Sequence, residues 1–331
     1  MKIVFYNESI LSGGIEKCIE LLSKSLPSDY EIEVVYVDDT VADKNIIEVL
    51  SKNASVHKLE DDEIINADIC VWCRIYIDYS KLSKQIVAKR NILWVHSKPR
   101  ALPNCILDDA EAMDTFEKII CVSEAVKNEV NFPDKSTVIH NFINDDIHEL
   151  AEAIKNPFSD IPSDYLKLLI VARLSYQKGF DRVKKVVDDL IKMDKKFELK
   201  VIGNGRKAEP VIRSMFEGYK QVEFLGYQPN PYPYIKNCDY LLVLSDYETW
   251  GNVITEAKAL GTPCIVADFP SAKEQIDNGI NGLLLPLECD SYCNDLENIL
   301  DKKDIIKNNL KNFKYVNEID KWIELFDNKI N

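Results

Sequence analysis

Three short segments of the chain combine residue types able to bind anions and hydroxyl-bearing groups. The first, Val171-Ala172-Arg173-Leu174-Ser175-Tyr176-Gln177-Lys178-Gly179-Phe180, sets Arg173 and Lys178 five residues apart between an apolar run and a helical one. A guanidinium fork and an ammonium point charge in such a loop suit a diphosphate, although Lys and Arg are also common in ordinary solvated loops. The second segment, Ser245 to Ala257, carries Glu248 and Glu256 with seven residues between them. Carboxylates hydrogen-bond diols, so the pair suits the hydroxyls of a sugar and a ribose; read alone, the segment also fits two surface glutamates. Between them Gly251-Asn252-Val253 opens a helix, whose first N–H groups attract anions. The third, Ser12-Gly13-Gly14-Ile15-Glu16-Lys17, follows the first apolar run and opens another helix. Two glycines there let the backbone approach a ligand, or simply make a tight turn. The dinucleotide fingerprint G-x-G-x-x-G is absent, which disfavours nicotinamide and flavin chemistry.

These segments need a scaffold that brings loop ends together. Strand-like runs cover Lys2–Tyr6, Glu31–Val37, Ala67–Cys73, Asn91–His96, Lys118–Val122 and Thr137–Ile139 in the first half. The second half restarts the pattern with Lys167–Ala172, Glu198–Gly203, Gln221–Leu225, Asp239–Ser245 and Pro263–Ala267. Helical periodicity fills the gaps, as in Ile15–Leu26, where Ile15, Cys18, Ile19, Leu22 and Leu26 share one face. Strand and helix in alternation predict parallel βαβ units, hence two doubly wound α/β domains. Residues 1–150 form the first expected domain and 151–315 the second. Asn144 to Asp164, with Pro157 and Pro162, reads as the segment between them. Residues 316–331, with Ile319, Trp322, Ile323 and Phe326, form an amphipathic helix expected to pack back on the first domain. Two such domains facing across a cleft would point the carboxyl ends of both sheets at one ligand site.

Composition bounds the possibilities. With 331 residues the chain exceeds the size at which one hydrophobic core stops growing. Hydrophobic residues at 46% and charged residues at 29% exclude disordered and low-complexity classes. A net charge of −14 argues against nucleic acid as a partner, since neutralising phosphates needs a basic face. The N-terminal residues run straight into an apolar strand, and no apolar run approaches the roughly 20 residues that span a bilayer, so a cytoplasmic protein is expected. Nine cysteines in apolar surroundings read as small core residues, and Cys70-x-x-Cys73, without a second pair or a nearby His, reads the same way. His140 reads as structural; His57 and His148 read as surface residues.

In this order and spacing, the segments make the whole chain resemble the retaining GT-B glycosyltransferases of glycosyltransferase family 4. The resemblance is carried by Gly13-Gly14-Ile15-Glu16, by Val171-Ala172-Arg173-Leu174 followed by Lys178-Gly179, and by Val201-Ile202-Gly203-Asn204-Gly205. It continues through Phe224-Leu225-Gly226, Glu248–Glu256, the run Glu256-Ala257-x-Ala259-x-Gly261-x-Pro263, and Gly279-x-Asn281-Gly282. It implies the GT-B architecture and a nucleotide-sugar donor, with a UDP-sugar favoured, no metal and no other cofactor.

Carried over position by position, the resemblance implies that Arg173 and Lys178 bind the donor diphosphate. Glu248 would hold the hydroxyls of the transferred sugar and Glu256 the ribose. Gly14, Gly203 and the amides of Gly251, Asn252 and Val253 would approach phosphates and sugar, with Tyr227 and Gln228 near the base. His96, in Trp94-Val95-His96-Ser97, is the candidate acceptor-side histidine. Thr249 stands where the family often has glycine, which would reshape the sugar pocket.

The implied reaction retains anomeric configuration through an oxocarbenium-like transition state, the fixed cations stabilising the leaving diphosphate. Lys-, Asn- and Ile-rich usage points to an AT-rich bacterium and, with the resemblance, to cell-surface polysaccharide or glycolipid assembly. Two rivals remain: a non-hydrolysing sugar-nucleotide epimerase, which would need an acid–base pair, and an inactive glycosyltransferase-like partner subunit. Finally, Arg74 to Arg100 holds Arg74, Lys81, Lys84, Lys89, Arg90, Lys98 and Arg100 against Asp78 alone. Such a cluster predicts either peripheral docking to the anionic inner face of the cell membrane, where a lipid-linked acceptor would be met, or a solvated helix face.

Overall fold

The computed structural model describes residues 1–11, 13–99 and 104–327. Ser12, Arg100 and residues 328–331, which belong to the glycine turn, the basic segment and the last expected helix, lie outside the described residues. The chain divides into two compact units, Met1–Ile143 with Asn317–Asn331, and Asn144–Val316.

Seven parallel strands build the first unit: β1 (Lys2–Tyr6), β2 (Glu31–Tyr36), β3 (Ser55–Lys58), β4 (Ile65–Trp72), β5 (Ile86–Val95), β6 (Phe116–Cys121) and β7 (Ser136–Val138). Their order in the sheet is β3-β2-β1-β4-β5-β6-β7. The central strands are apolar throughout because helices cover both faces, and Ile3, Val4, Phe5, Ile69 and Val71 are wholly buried. The helix Gly14–Ser25 buries Cys18, Ile19 and Leu22 on one face.

Two strands escape simple apolar patterning. β3 is a polar edge strand that pairs His57 with Val35 of β2. β5 begins five residues before the expected Asn91, through Lys89 and Arg90. Those charges are matched across the sheet: Lys89 Nζ lies 2.7 Å from Asp68 of β4, and Arg90 Nε 2.6 Å from Glu117 of β6.

The second unit repeats the plan with six parallel strands: β8 (Leu166–Val171), β9 (Phe197–Ile202), β10 (Val222–Gly226), β11 (Tyr240–Val243), β12 (Cys264–Ala267) and β13 (Leu283–Leu285). Their order is β10-β9-β8-β11-β12-β13. β13, three residues long, is a strand that the apolar pattern does not single out.

The boundary falls at 143/144, earlier than the expected 150/151. Asn144–Asp164 is not a linker between units: Ile147, Ala151 and Phe158 are buried in the second unit's core. Asn230 Nδ2 also donates to Leu150 O at 2.7 Å. The chain's exit from the first unit and its return are tied together, since Ile143 N donates to Asn317 Oδ1 and Asn317 Nδ2 donates back to Ile143 O.

The last helix, Ile319–Phe326, belongs to the first unit and is shorter than the expected 316–331. Trp322 is fully buried, 4.6 Å from the Trp94 ring of β5. Arg90 Nη1 and Nη2 donate to the carbonyls of Phe326 and Leu325, satisfying acceptors that a helix end leaves open. At its start, Glu318 accepts from His140 N at 2.8 Å and pairs with His140 Nδ1 at 3.2 Å, which gives that histidine a structural task. Burial works to raise the Glu318 pKa, but these bonds and Lys321 outweigh it and hold the carboxyl down at about 2.

Candidate active site

In a doubly wound sheet the ligand crevice opens where neighbouring strands lead their chains to opposite sides. In the second unit that point lies between β8 and β11, whose next strands in the chain, β9 and β12, lie on opposite flanks. Both segments singled out for phosphate and sugar binding leave the sheet here. After β8 the chain makes a 3-10 turn, Tyr176–Lys178, and enters the helix Phe180–Lys192 through Gly179.

Gly179 has φ +66°, and a Cβ built on it would lie 1.8 Å from Leu244 O. Only glycine allows that approach. The two loops are then zipped together, since Asp246 N donates to Gln177 O and Gln177 Nε2 donates to Tyr247 O, both at 2.8 Å. This contact brings the two charged candidates together: Lys178 Nζ donates to Glu248 Oε1 at 2.6 Å, with 24% and 15% of the side chains exposed. Ser245 Oγ donates to the same oxygen at 2.5 Å. A lysine and a glutamate held head to head in a half-buried place can each be handed to a partner of opposite need, an anion for Lys178 and hydroxyls for Glu248.

The remaining candidates take distinct positions. Arg173 lies in the loop directly after β8, with its side chain exposed. Gly203 ends the β9 turn at φ +131°, where a Cβ would lie 1.9 Å from Ala172 O, so close packing of two loops requires it. Gly251, at φ +85°, caps the helix Asn252–Ala259, which Asn252 and Val253 open. Glu256, one turn into that helix, accepts from Tyr232 Oη at 3.1 Å. Tyr227 is 53% exposed, and Gln228 Nε2 donates to its own turn at Leu225 O.

Gly14 and His96 lie in the first unit. Gly14 is the first residue of its helix, and His96 follows β5. The His96 ring lies 4.3 Å from that of Trp94. Burial, aided by the charge of Arg74, pushes its pKa down to about 3, so the imidazole is neutral at physiological pH.

Several residues of the site carry no local signal. Ser271, fully buried, donates through Oγ to Glu248 O at 2.8 Å. One helical turn later Gln275 donates through Nε2 to Trp250 O and accepts from Thr255 Oγ1 at 2.7 Å. The two side chains hold the carbonyls on either side of Thr249. Arg182, 8% exposed, donates to the carbonyls of Leu244 and Leu287 and pairs with Asp246. They stand 23 or more residues from Glu248 along the chain (Ser271 to Glu248) or point inward from a helix, so spacing does not reveal them.

Elsewhere the thiols of Cys70 and Cys73 are buried, and burial raises both pKa values, consistent with core packing. His57 bridges Glu33 and Glu63, at 3.4 and 3.1 Å. In the basic segment, five of the six described cations face carboxylates: Arg74 with Glu16, Lys81 with Asp61, Lys89 with Asp68, Arg90 with Glu117 and Lys98 with Glu129. Among the described residues, no helix is long and apolar enough to cross a membrane.

Residues 152–316, nearly the whole second unit, match the family described as glycosyl transferases group 1. An uncharacterised glycosyltransferase of Methanocaldococcus jannaschii is 30% identical over 221 residues, covering 61% of this chain and 56% of that protein. The lipopolysaccharide 1,6-galactosyltransferase of Salmonella typhimurium is 26% identical, covering 62% of this chain and 59% of that one. The chain spans about half the length of the first relatives it matches. Among solved structures, Anabaena HepE in complex with UDP superposes with a TM-score of 0.75 at 16% identity, covering 94% of both chains. The fold is thus GT-B.

Proposed function

We propose that this chain, whose residues 152–316 match the group 1 glycosyl transferases, is a retaining glycosyltransferase that moves a sugar from a nucleotide-diphosphate sugar to an acceptor hydroxyl. The observation that carries this reading is the Lys178–Glu248 pair at the second unit's switch point. Lys178, with Arg173 and the amides that open the helix Asn252–Ala259, offers positive charge to a leaving diphosphate. Glu248 offers acceptors for the hydroxyls of the transferred sugar, and Glu256 for a ribose. A UDP-sugar is the favoured donor, in keeping with UDP in the Anabaena HepE complex.

The acceptor hydroxyl would attack the face from which the diphosphate departs, and the departing phosphate oxygen would take its proton. Fixed cations take the place of a metal ion in this scheme. His96, neutral and at the end of β5, would serve on the acceptor side as a hydrogen-bonding group and not as an acid. The setting we propose is bacterial cell-surface polysaccharide or glycolipid assembly, in line with the lipopolysaccharide galactosyltransferase among its relatives. Docking of Arg74–Arg100 to a membrane is the part of the reading that its ion pairs disfavour.

A panel of nucleotide sugars, screened by thermal shift and then by product mass spectrometry, tests the reading. Saturable stabilisation by one donor, with hydrolysis or transfer lost in Lys178→Ala and Glu248→Ala, supports it. Turnover unchanged in both variants overturns the assignment of the site.

A further inference from the structure

The first unit has a switch point of its own, and it holds charged side chains for which the reading above has no task. β1 and β4 lie side by side, Tyr6 opposite Trp72, and lead to strands on opposite flanks. Asn7 follows β1, Arg74 follows β4, and Glu16 comes from the first turn of the helix Gly14–Ser25. Asn7 is fully buried and Glu16 is 3% exposed. One oxygen of Glu16 accepts from Asn7 Nδ2 at 2.9 Å, Arg74 Nη2 at 3.3 Å and Leu11 N at 3.4 Å. Arg74 Nε donates to Asn7 Oδ1 at 2.5 Å.

This network pins one side of the guanidinium and leaves the other. Nη1 of Arg74 meets no acceptor among the described residues, and 23% of the side chain is exposed. Arginines that hold this fold together behave differently: Arg90 and Arg182 each donate through Nε, Nη1 and Nη2 to protein oxygens. His96 follows β5, which pairs with β4 through Trp72 opposite Leu93, so Arg74 and His96 leave the sheet from adjacent strand ends. Its Nε2 is buried without a hydrogen-bond partner. An oriented guanidinium edge beside a neutral imidazole is a ready receptor for an oxyanion, because little conformational freedom remains to be lost on binding.

We propose that Arg74, oriented by Asn7 and Glu16 and flanked by His96, binds an anionic oxygen group, a phosphate or a carboxylate, on the molecule that accepts the sugar. Glu16 supplies the fixed countercharge that keeps the cation in place, while the open edge of the fork takes the ligand oxygens in pairs. The role of the bound molecule as acceptor rests on the glycosyltransferase reading; its binding at Arg74 does not.

The test uses the full chain with 15N-labelled histidine in a Lys178→Ala background, which weakens phosphate binding at the donor loop. Methyl phosphate, acetate and neutral methyl glucoside are titrated separately while the His96 signals, assigned by their loss in His96→Asn, are followed by NMR. Saturable shifts of His96 with methyl phosphate or acetate, weakened about tenfold or more in Arg74→Gln, are the expected result. The more effective anion names the acceptor group. If Arg74→Gln does not fold, Arg74→Lys, which keeps the charge and loses the fork, carries the comparison and should bind several-fold more weakly. His96 signals unmoved by both anions, moved equally in the Arg74 variants, or moved as much by methyl glucoside overturn the proposal. Anion binding at Arg74 in a chain that turns over no nucleotide sugar would sink the functional reading and leave this site standing.

Discussion

The two switch points solve the problem of holding a half-buried cation in opposite ways. In the second unit, Lys178 meets Glu248 directly at 2.6 Å, and the loops that carry them are locked by backbone contacts and a left-handed glycine. In the first, Arg74 reaches Glu16 at only 3.3 Å and is oriented mainly by Asn7. The lysine pair is a point contact whose members can separate toward different parts of one donor. The arginine network has no member that can leave without stranding a buried polar group, so it favours a fixed receptor edge. The difference suits a site that exchanges partners during a reaction in one unit and a site that orients a ligand in the other.

The strongest way to break this comparison is to remove a member of the exchanging pair. Lys178→Ala should lower donor turnover by about 10²–10³-fold, the scale seen when a preorganised charge-stabilising group is lost. Glu248→Ala should fall as far, in a nucleotide-release assay. Gly179→Ala attacks the loop lock instead. With Leu244 O only 1.8 Å from the new Cβ and φ at +66°, we expect a loss of about 3 kcal/mol in denaturant unfolding. An unchanged midpoint would show that the loops are not held by that contact.

Gln275→Ala tests the distant clamp. It frees the carbonyl of Trp250 and the hydroxyl of Thr255, and should cost about 1–3 kcal/mol and raise the donor KM more than it lowers kcat. Equal loss of both kinetic constants would make it a support of the fold alone.

A smaller effect concerns the first unit's histidine. Folded His96 stays neutral down to about pH 3, whereas the unfolded chain takes up its proton near 6.5. The unfolded state therefore binds more protons between those values, and stability contributed by His96 falls as pH drops below 6.5. His96→Asn should remove on the order of 1 kcal/mol of this acid sensitivity at about pH 5, read from thermal melts across pH.

Smallest of all, liposomes with and without anionic lipid should float equal amounts of protein, because five of the six described cations of the basic segment already face carboxylates. Anion-dependent flotation lost in Lys84→Glu would reverse that expectation.

The alternation of apolar runs and amphipathic stretches sufficed to read eleven strands, because central strands of a parallel sheet are apolar on both faces. It failed at β3 and at the start of β5, where polar residues are tolerated only because neighbouring strands supply partners: Glu33 for His57, Asp68 for Lys89, Glu117 for Arg90. It also failed at Asn144–Asp164, where prolines suggested a linker while Ile147 and Phe158 were core residues in waiting.

The donor-side candidates were legible because each lies within 13 residues of the strand end that positions it, so the motif and its placement are one local fact. Gly179 and Lys178 are neighbours in the chain, and the glycine that permits the loop's approach announces the lysine beside it. What the tertiary structure alone decided is which distant groups complete each charge. Arg74 is 58 residues from Glu16, and Ser271 is 23 from Glu248; no period or spacing links them. Those partnerships follow from strand order and loop packing, because a hydrogen bond depends on positions in space to within a few tenths of an ångström, while sequence patterns fix only which face of an element a residue occupies.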